Sequence, residues 1–409
     1  MQITGLLTRF RRLLQRLYIE RDFFHPFEIL LALPGFHLVE RFRKRSWMRV
    51  LFVLTRVIQL LQYALWVDRF YLELIDSSGS SEKTLHYGNT LSALTMMLVR
   101  MFVVHWYMPN VEEFKRYLRR QRRLRVTKPN SGTHRISYRK IVNIAIMFQL
   151  VGLADRLVFC FSSTYRQELY ELPSNLLELG WPMEIVLHVV SFDFESRWIA
   201  TYSVSITGMN SIMMGLYDEL VDIAEEYQEL FARSKDDSSE FWSSLERNIV
   251  QAVKRHEAFI SQLDQLKPFL QATFLVMFYS AALFLAVGTL LLITNGMTVF
   301  KVIFSGFLFA LLLECYWCCQ LVDRLNDMNA QIGMHLYSLP WTTELQYTIP
   351  NGSRYRQVRL SLLIMMSKTQ KSLEINCGGM FEMSREAFAS LVKLAYTMLM
   401  FLRDTQNFS

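Results

Sequence analysis

Few side chains of this sequence could take part in catalysis or metal binding, and their spacing matches no active-site motif. Cys315-x-x-Cys318 has the spacing of half a tetrahedral metal site, but no second pair of ligands follows it. Four of the five cysteines lie in or beside apolar runs, so we interpret them as small apolar residues packed inside helices. The eight histidines form no HExxH pattern, and no GxSxG motif occurs. We therefore expect no catalytic residue, no metal ligand set and no cofactor, and we predict that the protein is not an enzyme.

Two carboxylates, Asp155 and Glu314, stand inside apolar runs. A carboxylate in such a position can relay protons in a transporter, or it can pair with a cation inside a helix bundle. Asp155 is followed directly by Arg156, which favours a structural pair or an interior contact. The chain also lacks the paired broken helices and the half-to-half symmetry of many secondary transporters. A multi-pass transporter is therefore an alternative rather than the leading interpretation.

The composition is typical of a protein embedded in a membrane. Hydrophobic residues make up 52% of the chain and the mean hydropathy is +0.17, a combination that is rare in soluble domains. The net charge of +7 could indicate nucleic-acid binding, but the positive residues cluster between apolar runs, as they do in membrane proteins. We interpret the basic run Lys115–Arg125 as a stretch beside the membrane that is attracted to anionic headgroups. We expect the lipid bilayer as a partner, and no nucleic acid.

Seven stretches approach the length that a membrane-spanning helix needs, which is about 20 mostly apolar residues. Some of them contain charged residues, such as Arg56 and Arg100, which must then face the bundle interior or a wet cavity. The pattern predicts an all-α, polytopic membrane protein with seven transmembrane helices. The predicted spans are Trp47–Trp66, Thr90–Met108, Ile141–Phe161, Trp198–Leu216, Phe269–Ile293, Thr298–Leu321 and Ala387–Leu402.

Lysine and arginine are concentrated in alternate segments between these spans. Segments 1–46, 109–140, 217–268 and 322–357 contain 29 of them, and the intervening segments contain 4. Cytoplasmic segments carry the excess of these residues, so we expect the N-terminus in the cytoplasm and, after an odd number of spans, the C-terminus outside the cell. This orientation argues against a G-protein-coupled receptor, whose seven spans follow an external N-terminus.

Four regions follow from this topology. Residues 1–46 are predicted to form a cytoplasmic N-terminal segment. Residues 47–321 contain the first six spans, with a helical cytoplasmic extension at 217–268. Residues 322–380 are predicted to form a cytoplasmic anchor region, and residues 381–409 the last helix with a short external tail.

The extension should consist of two amphipathic helices. Apolar residues recur at helical spacing in Leu220–Phe231 and in Leu245–Leu263, with a polar turn at Ser234–Ser239 between them. Apolar stripes on helices that leave the membrane need partners. We expect these stripes, together with Leu336–Met366, to form an anchor between the subunits of an oligomer.

The last third of the chain carries a succession of motifs in a fixed order. Its elements are Cys315-Tyr316, Asn329-Ala330, Trp341, Leu362–Lys371, Gly378-Gly379, Met383-Ser384, Phe388, Tyr396-Thr397 and Phe401-Leu402-Arg403. They form an apolar helix, a glycine turn and a final helix. This succession resembles the C-terminal signature of insect odorant receptors over residues 310–404, and it lacks the Thr-Tyr and Gln-Phe ending of gustatory receptors.

The resemblance implies an odorant-gated, non-selective cation channel that acts in sensory transduction. Members of this family form tetramers around a pore lined by the last helix, and the short loop between spans four and five suits an odour-tuning subunit rather than the shared co-receptor. The implied partners are a small volatile odorant and that co-receptor, in a heterotetramer at the plasma membrane of a sensory-neuron dendrite. A gustatory receptor channel and a multi-pass transporter are the alternatives for this olfactory function.

The resemblance also implies two sets of functional residues. The odorant pocket should lie within the outer halves of spans two, three, four and six, and should be apolar and aromatic. Its candidate ligand-binding residues are Leu91, Thr95, Gly152, Asp155, Phe159, Trp198, Tyr202 and Phe304.

The second set lies at the outer end of the last helix, where the family's channel gate is expected. Asp404 is the only carboxylate after Glu386, and a ring of carboxylates raises the local concentration of cations at a pore entrance. Phe401 lies one turn below it and could close the path by dewetting. The candidate pore residues are Phe401, Asp404 and Thr405.

Overall fold

The structure is a computed structural model of the whole chain. It describes eight stretches of the chain, separated by short gaps, and every structural statement below concerns these stretches. They are residues 24–32, 46–75, 81–124, 131–162, 180–235, 241–293, 299–345 and 352–407.

Helices make up nearly all of the described residues, with one two-stranded hairpin near the C-terminal end, as the all-α prediction requires. We number the elements in chain order. They are α1 (His25–Ala32), α2 (Ser46–Ile75), α3 (Ser81–Trp106), α4 (Met108–Leu124), α5 (Ser131–Phe161), α6 (Trp181–Gln228), α7 (Leu230–Lys235), α8 (Phe241–Ile293), α9 (Val299–Ser338), α10 (Trp341–Glu344), α11 (Gly352–Thr369), β1 (Asn376–Cys377), β2 (Phe381–Glu382) and α12 (Arg385–Asn407).

Among the described residues, five helices are long and apolar enough to cross a membrane. Large apolar side chains lie exposed along α2, among them Leu61 and Leu65, which are 60% and 58% exposed. A continuous exposed apolar surface of this kind is unfavourable in water and suits contact with lipid. The protein is a multi-pass membrane protein. The five stretches are Arg49–Ile75, Thr84–Trp106, Tyr138–Val158, Phe241–Leu292 and Lys301–Ser338.

The predicted fourth and seventh spans lie on α6 and α12 and are not among these five. Helix α6 differs from the five helices because other helices of the chain bury all of residues 200–216. This stretch therefore does not need an apolar surface that faces lipid. Several buried positions are hydroxyl residues. Thr201, Ser203 and Ser211 each donate a hydrogen bond of 2.8 Å to the backbone carbonyl four residues earlier. Their hydroxyls are therefore satisfied inside the bundle. The number of spans stays a prediction.

The predicted extensions of α6 and α8 are present and pack against each other. Leu220 and Tyr227 of α6 are fully buried in the same core as Leu245 and Phe259 of α8. Arg255 ties the two helices together, since its guanidinium lies 2.9 Å from Glu219 and 2.8 Å from Glu226. The apolar stripes therefore find their partners within one chain. The expectation that these stripes join different subunits was wrong, because two helices from the same chain already bury them.

The last part of the chain forms a helix, a hairpin and a final helix. Helix α11 buries Val358, Leu362 and Met365. The hairpin turns through Gly378 and Gly379, whose φ angles of 57° and 78° lie in the left-handed region that favours glycine. A Cβ atom at Gly378 would also lie 2.8 Å from Cδ1 of Leu275. The predicted glycine turn is therefore confirmed, and it sets the direction in which α12 leaves the hairpin.

The burial of His256 predicts that the stability of the extension depends on pH. Helix α8 has 53 residues and its charge-free part begins at Phe269, so at 1.5 Å per residue His256 lies roughly 20 Å outside that part. It is 4% exposed, and burial, with a smaller contribution from Lys368, lowers its pKa to about 4. Its ring faces the ring of Tyr227 at 6.0 Å.

The unfolded chain should titrate this histidine near 6.5. Because the folded pKa is lower, the folded state is fully stable above pH 6.5 and loses stability as the pH falls from 6.5 towards 4. We expect His256 to cost about 2 kcal/mol of stability at pH 5 relative to pH 7.5. Denaturant unfolding of the wild type and of His256→Phe at both pH values measures this, and equal pH dependence of the two proteins would refute it.

Candidate ligand site in the helix bundle

Two groups of aromatic and aliphatic side chains fill the space between the spanning helices. The first cluster has Trp66, Tyr87, Leu94 and Trp198 as its buried members, from α2, α3 and α6. It is joined to a second cluster because Met97 packs against both. The buried members of the second cluster, from α3, α6, α8 and α9, are Met96, Tyr202, Ile206, Phe284, Leu291, Phe304, Leu308 and Leu311.

The second cluster is dense in aromatic rings. The ring of Tyr202 lies 5.9 Å from that of Phe148 and 5.9 Å from that of Phe307. Phe307 in turn lies 6.0 Å from Phe304 and 6.1 Å from Phe284. These are edge-to-face and tilted arrangements, in which each ring retains a favourable neighbour. Aromatic and aliphatic side chains of this kind are the ones that contact small apolar ligands in proteins.

Four of the eight residues predicted to bind a ligand belong to these clusters. Trp198 is a buried member of the first cluster and Leu91 packs against it. Tyr202 and Phe304 are buried members of the second cluster, 7% and 8% exposed. The joined clusters therefore bring together predicted residues from α3, α6 and α9, and their role in binding stays a prediction.

The other four predicted residues lie differently. Thr95 is exposed, and its hydroxyl lies 2.9 Å from the hydroxyl of Tyr63. Gly152 is a contact point between α5 and α6, because a Cβ atom there would lie 2.4 Å from Cγ2 of Ile199. Asp155 is half-buried on α5, and the side chain of Phe159 lies outside the described part of the structure. Gly152 is therefore suited to helix packing rather than to contributing a side chain to a pocket.

A buried ion pair joins α3 and α9 beside the second cluster. Nη1 of Arg100 donates hydrogen bonds of 2.7 Å and 3.0 Å to the two carboxylate oxygens of Glu314. The hydroxyl of Tyr202 donates a third, of 2.9 Å, to the same carboxylate. The guanidinium of Arg100 also lies 5.4 Å from the centre of the Tyr202 ring. One carboxylate thus holds side chains from three helices together.

The pair is almost free of solvent, with Arg100 3% exposed and Glu314 8% exposed. Among the described residues, the Nε and Nη2 atoms of Arg100 have no hydrogen-bond acceptor. A buried donor without an acceptor is costly, so these two N–H groups would favour an incoming oxygen atom. Sequence reasoning identified both charges as interior, but it did not pair them, because they are 214 positions apart.

The candidate pore residues lie at the end of α12. Phe401 is 67% exposed and Asp404 is exposed. The side chain of Thr405 lies outside the described residues. Helix α12 continues to Asn407, beyond the predicted end of the seventh span at Leu402, so Asp404 and Thr405 belong to the final helix.

One face of α12 packs on the rest of the chain and the other does not. Ala387, Leu391 and Ala395, four residues apart, are buried in the core. Tyr396 and Phe401 lie outside this face and remain 62% and 67% exposed. The helix therefore keeps apolar side chains exposed that the described part of the chain does not cover.

Comparisons with known proteins agree with this architecture. A family profile described as "7tm Odorant receptor" matches residues 86–396. Odorant receptor 22a of Drosophila melanogaster is 22% identical over 162 residues, which cover 38% of this chain and 37% of that relative. The match thus spans little more than a third of the curated relative.

The fold is also similar to solved structures. The insect olfactory receptor OR5 from Machilis hrabei superposes with a TM-score of 0.70 at 13% sequence identity, and the match covers 97% of this chain and 98% of that one. A structure of the same receptor in complex with eugenol matches equally well. At this identity the likeness establishes the fold, and it extends over nearly the whole chain.

Proposed function

The chain belongs to the 7tm odorant receptor family, and from that membership we propose that it is an odour-tuning subunit of an odorant-gated, non-selective cation channel. The observation that supports the proposal best is the pair of joined aromatic clusters, bordered by the Arg100–Glu314 ion pair. The family is one of receptors rather than enzymes. Its profile covers residues 86–396 and favours an odorant receptor over a gustatory receptor channel or a transporter.

We propose that the odorant occupies the joined clusters. The OR5 receptor, which has this fold, is known in complex with eugenol, and a small volatile ligand of that kind fits a lining of rings and aliphatic side chains. Trp198, Tyr202 and Phe304 would contact the ligand. The N–H groups at Nε and Nη2 of Arg100 would donate hydrogen bonds to an oxygen atom of the ligand, which gives the site one polar anchor.

We also propose the topology. Seven spans, with α6 and α12 as the fourth and seventh, agree with the excess of 29 lysine and arginine residues over 4 in alternate segments. The N-terminus is then cytoplasmic, the C-terminus is extracellular, and the basic helix α4 lies along the cytoplasmic surface of the plasma membrane. In a sensory neuron the chain would reside in the dendrite.

Epitope tags test this orientation. A tag after Ser409 should be stained on intact cells, and a tag at Gln2 should be stained only after permeabilisation. The expected contrast is nearly all-or-none, because a tag cannot cross the bilayer. The reverse pattern would contradict the orientation, and two tags on the same side of the membrane would contradict the odd number of spans.

The partner is proposed to be the shared odorant co-receptor, in a heterotetramer. Residues 322–380 would form the cytoplasmic anchor and residues 381–409 the pore helix. Leu362 is fully buried and serves the chain's own core. The exposed apolar side chains of α11, Leu363 and Ile364, at 43% and 47%, are better placed to meet another subunit. Together with Phe401 they offer surface for assembly.

The end of α12 is proposed to line the pore mouth. We expect Asp404→Lys to lower the permeability to divalent cations relative to sodium by about twofold, because it removes a carboxylate and adds a cation at the entrance. Phe401→Ala should raise the current without ligand, because it removes an apolar constriction. Reversal potentials and basal currents of the co-expressed channel measure both effects.

Asp264→Lys is the matched control for charge, since Asp264 lies in the extension, far along the chain from α12. It should leave the permeability ratio unchanged. If both α12 variants reach the cell surface and conduct like the parent, this end of α12 faces lipid and the partner builds the pore.

A panel of volatile compounds tests the proposed ligand class. Cells that express the chain with the co-receptor should show calcium entry for a subset of the volatiles and none when either chain is omitted. Calcium entry that is the same with and without this chain would contradict an odour-tuning role.

A further inference from the structure

A cavity separate from the aromatic clusters opens between α5, α6 and α9. Its volume is about 210 Å³, room for several waters at roughly 30 Å³ each, or for a phosphate group with its ester oxygens. Two of its lining residues are cations, Lys140 and Arg324. The complete lining is Lys140, Met214, Tyr217, Leu321, Arg324, Asp327, Met328 and Gln331.

The cavity lies where three helices leave the apolar part of the protein. Lys140 immediately precedes the predicted start of span three at Ile141. Tyr217 immediately follows the predicted end of span four at Leu216. Arg324 lies three residues beyond the predicted end of span six at Leu321, less than one helical turn. The predicted ends of spans three, four and six therefore lie together around the cavity. In the proposed topology these ends lie in the headgroup layer of the cytoplasmic leaflet.

Among the described residues, neither Lys140 nor Arg324 forms an ion pair. The guanidinium of Arg324 is held over the ring of Trp317, 5.8 Å from its centre, which leaves its N–H groups able to bind an acceptor. The neighbouring carboxylate, Asp323, is paired with Arg385 at 2.8 Å and is not among the residues that line the cavity. Asp327 is the carboxylate in the lining, so the site carries a net charge of about +1.

We propose that this cavity binds the phosphate headgroup of an anionic phospholipid of the cytoplasmic leaflet. Lys140 and Arg324 contact the phosphate oxygens, in the way that basic pockets between spanning helices bind anionic headgroups. Met214, Leu321 and Met328 cover the glycerol and the first methylene groups of the acyl chains. A net charge of +1 is complementary to a headgroup with one net negative charge and selects against a zwitterionic one. The lipid would thereby link α5 and α6 to α9, the helix that also carries Glu314.

Native mass spectrometry of the purified full chain in detergent measures the binding directly, and it requires no odorant and no channel opening. The probes are phosphatidylserine, phosphatidylcholine with the same acyl chains, and glycerophosphoserine, which has the headgroup without acyl chains. We expect phosphatidylserine to bind, phosphatidylcholine to bind at least fivefold more weakly, and glycerophosphoserine to bind more weakly still. Glycerophosphoserine binding as tightly as phosphatidylserine would mean a soluble phosphate ligand and would overturn the lipid assignment.

Lys140→Gln with Arg324→Gln should weaken phosphatidylserine binding roughly 30-fold, about fivefold for each cation removed near the membrane surface. The matched control is Arg116→Gln with Arg120→Gln, which removes the same charge from the exposed face of α4 and should change binding less than about threefold.

Two further variants separate binding from folding. Lys140→Arg with Arg324→Lys keeps both charges and should retain binding within about threefold, and Asp327→Asn should strengthen it about fivefold. If the double glutamine variant and the α4 control lost phosphatidylserine binding equally, the lipid would be attracted to the basic surface in general and not to a specific site. Unchanged binding in the double glutamine variant, or weaker binding in Asp327→Asn, would also overturn the proposal. A failure of odorant gating would leave all of these results intact, so the two proposals fail separately.

Discussion

Glu314→Gln is expected to lower the free energy of unfolding by about 3–5 kcal/mol, because it leaves the guanidinium of Arg100 charged, buried and without a counter-ion. Glutamine has the size of glutamate, so no cavity contributes to the loss. The change also weakens the hydrogen bond that the carboxylate receives from Tyr202, at 2.9 Å. Denaturant unfolding of the purified protein in detergent, followed by circular dichroism, measures the effect.

Two variants make this result specific. Arg100→Met with Glu314→Leu replaces the pair by apolar residues of similar volume and should recover most of the loss, because no uncompensated charge remains. Asp264→Asn breaks the surface pair with Lys267, 2.9 Å apart, and should cost less than about 1 kcal/mol. A Glu314→Gln loss as small as that of Asp264→Asn would contradict the account of a buried, structurally essential pair.

Phe304→Ala is expected to reduce the potency of the activating odorant at least tenfold, because it removes a ring from the wall of the second cluster, a change of about 1.4 kcal/mol or more in ligand binding. Phe304 is 8% exposed and packs against the other rings of the cluster. Dose–response curves of evoked current, with receptor at the cell surface measured in parallel, separate potency from expression. Phe304→Leu is the milder variant and should shift potency in the same direction with less loss of stability.

Phe309 provides the matched control on the same helix. It is 61% exposed and faces away from the clusters, so Phe309→Ala should leave potency unchanged. If Phe304→Ala and Phe309→Ala reach the surface and respond like the parent, the ligand does not contact the second cluster.

Much of the helical framework was predictable from the sequence because periodicity and turn residues are local signals. The extensions of α6 and α8 were visible in their apolar stripes, and the hairpin was visible in Gly378-Gly379. The burial of Cys315 and Cys318, 0% and 3% exposed, likewise agrees with their apolar surroundings in the sequence. Each of these features depends on residues within a few turns of one another.

The arrangement of the helices was not predictable in the same way. Nothing local to Arg100 points to Glu314, because the choice of neighbour depends on how α3 and α9 cross. The wrong expectation about the apolar stripes of α6 and α8 has the same cause. An apolar stripe indicates that another helix covers it, but it does not indicate which chain supplies that helix. The same cause also explains Gly152, whose neighbour Ile199 lies on another helix, 2.4 Å from where a Cβ atom would be.

The central claim is that an odorant bound within this chain opens a cation pathway without any intermediary. The most direct test is a recording from membrane patches that contain this chain and the co-receptor, excised into solution free of nucleotides. The account predicts that an activating volatile opens cation-selective channels in such patches, and that Phe304→Ala demands a higher concentration of it. Loss of the response on excision, with its return only when GTP is supplied, would contradict the account and would indicate a metabotropic receptor.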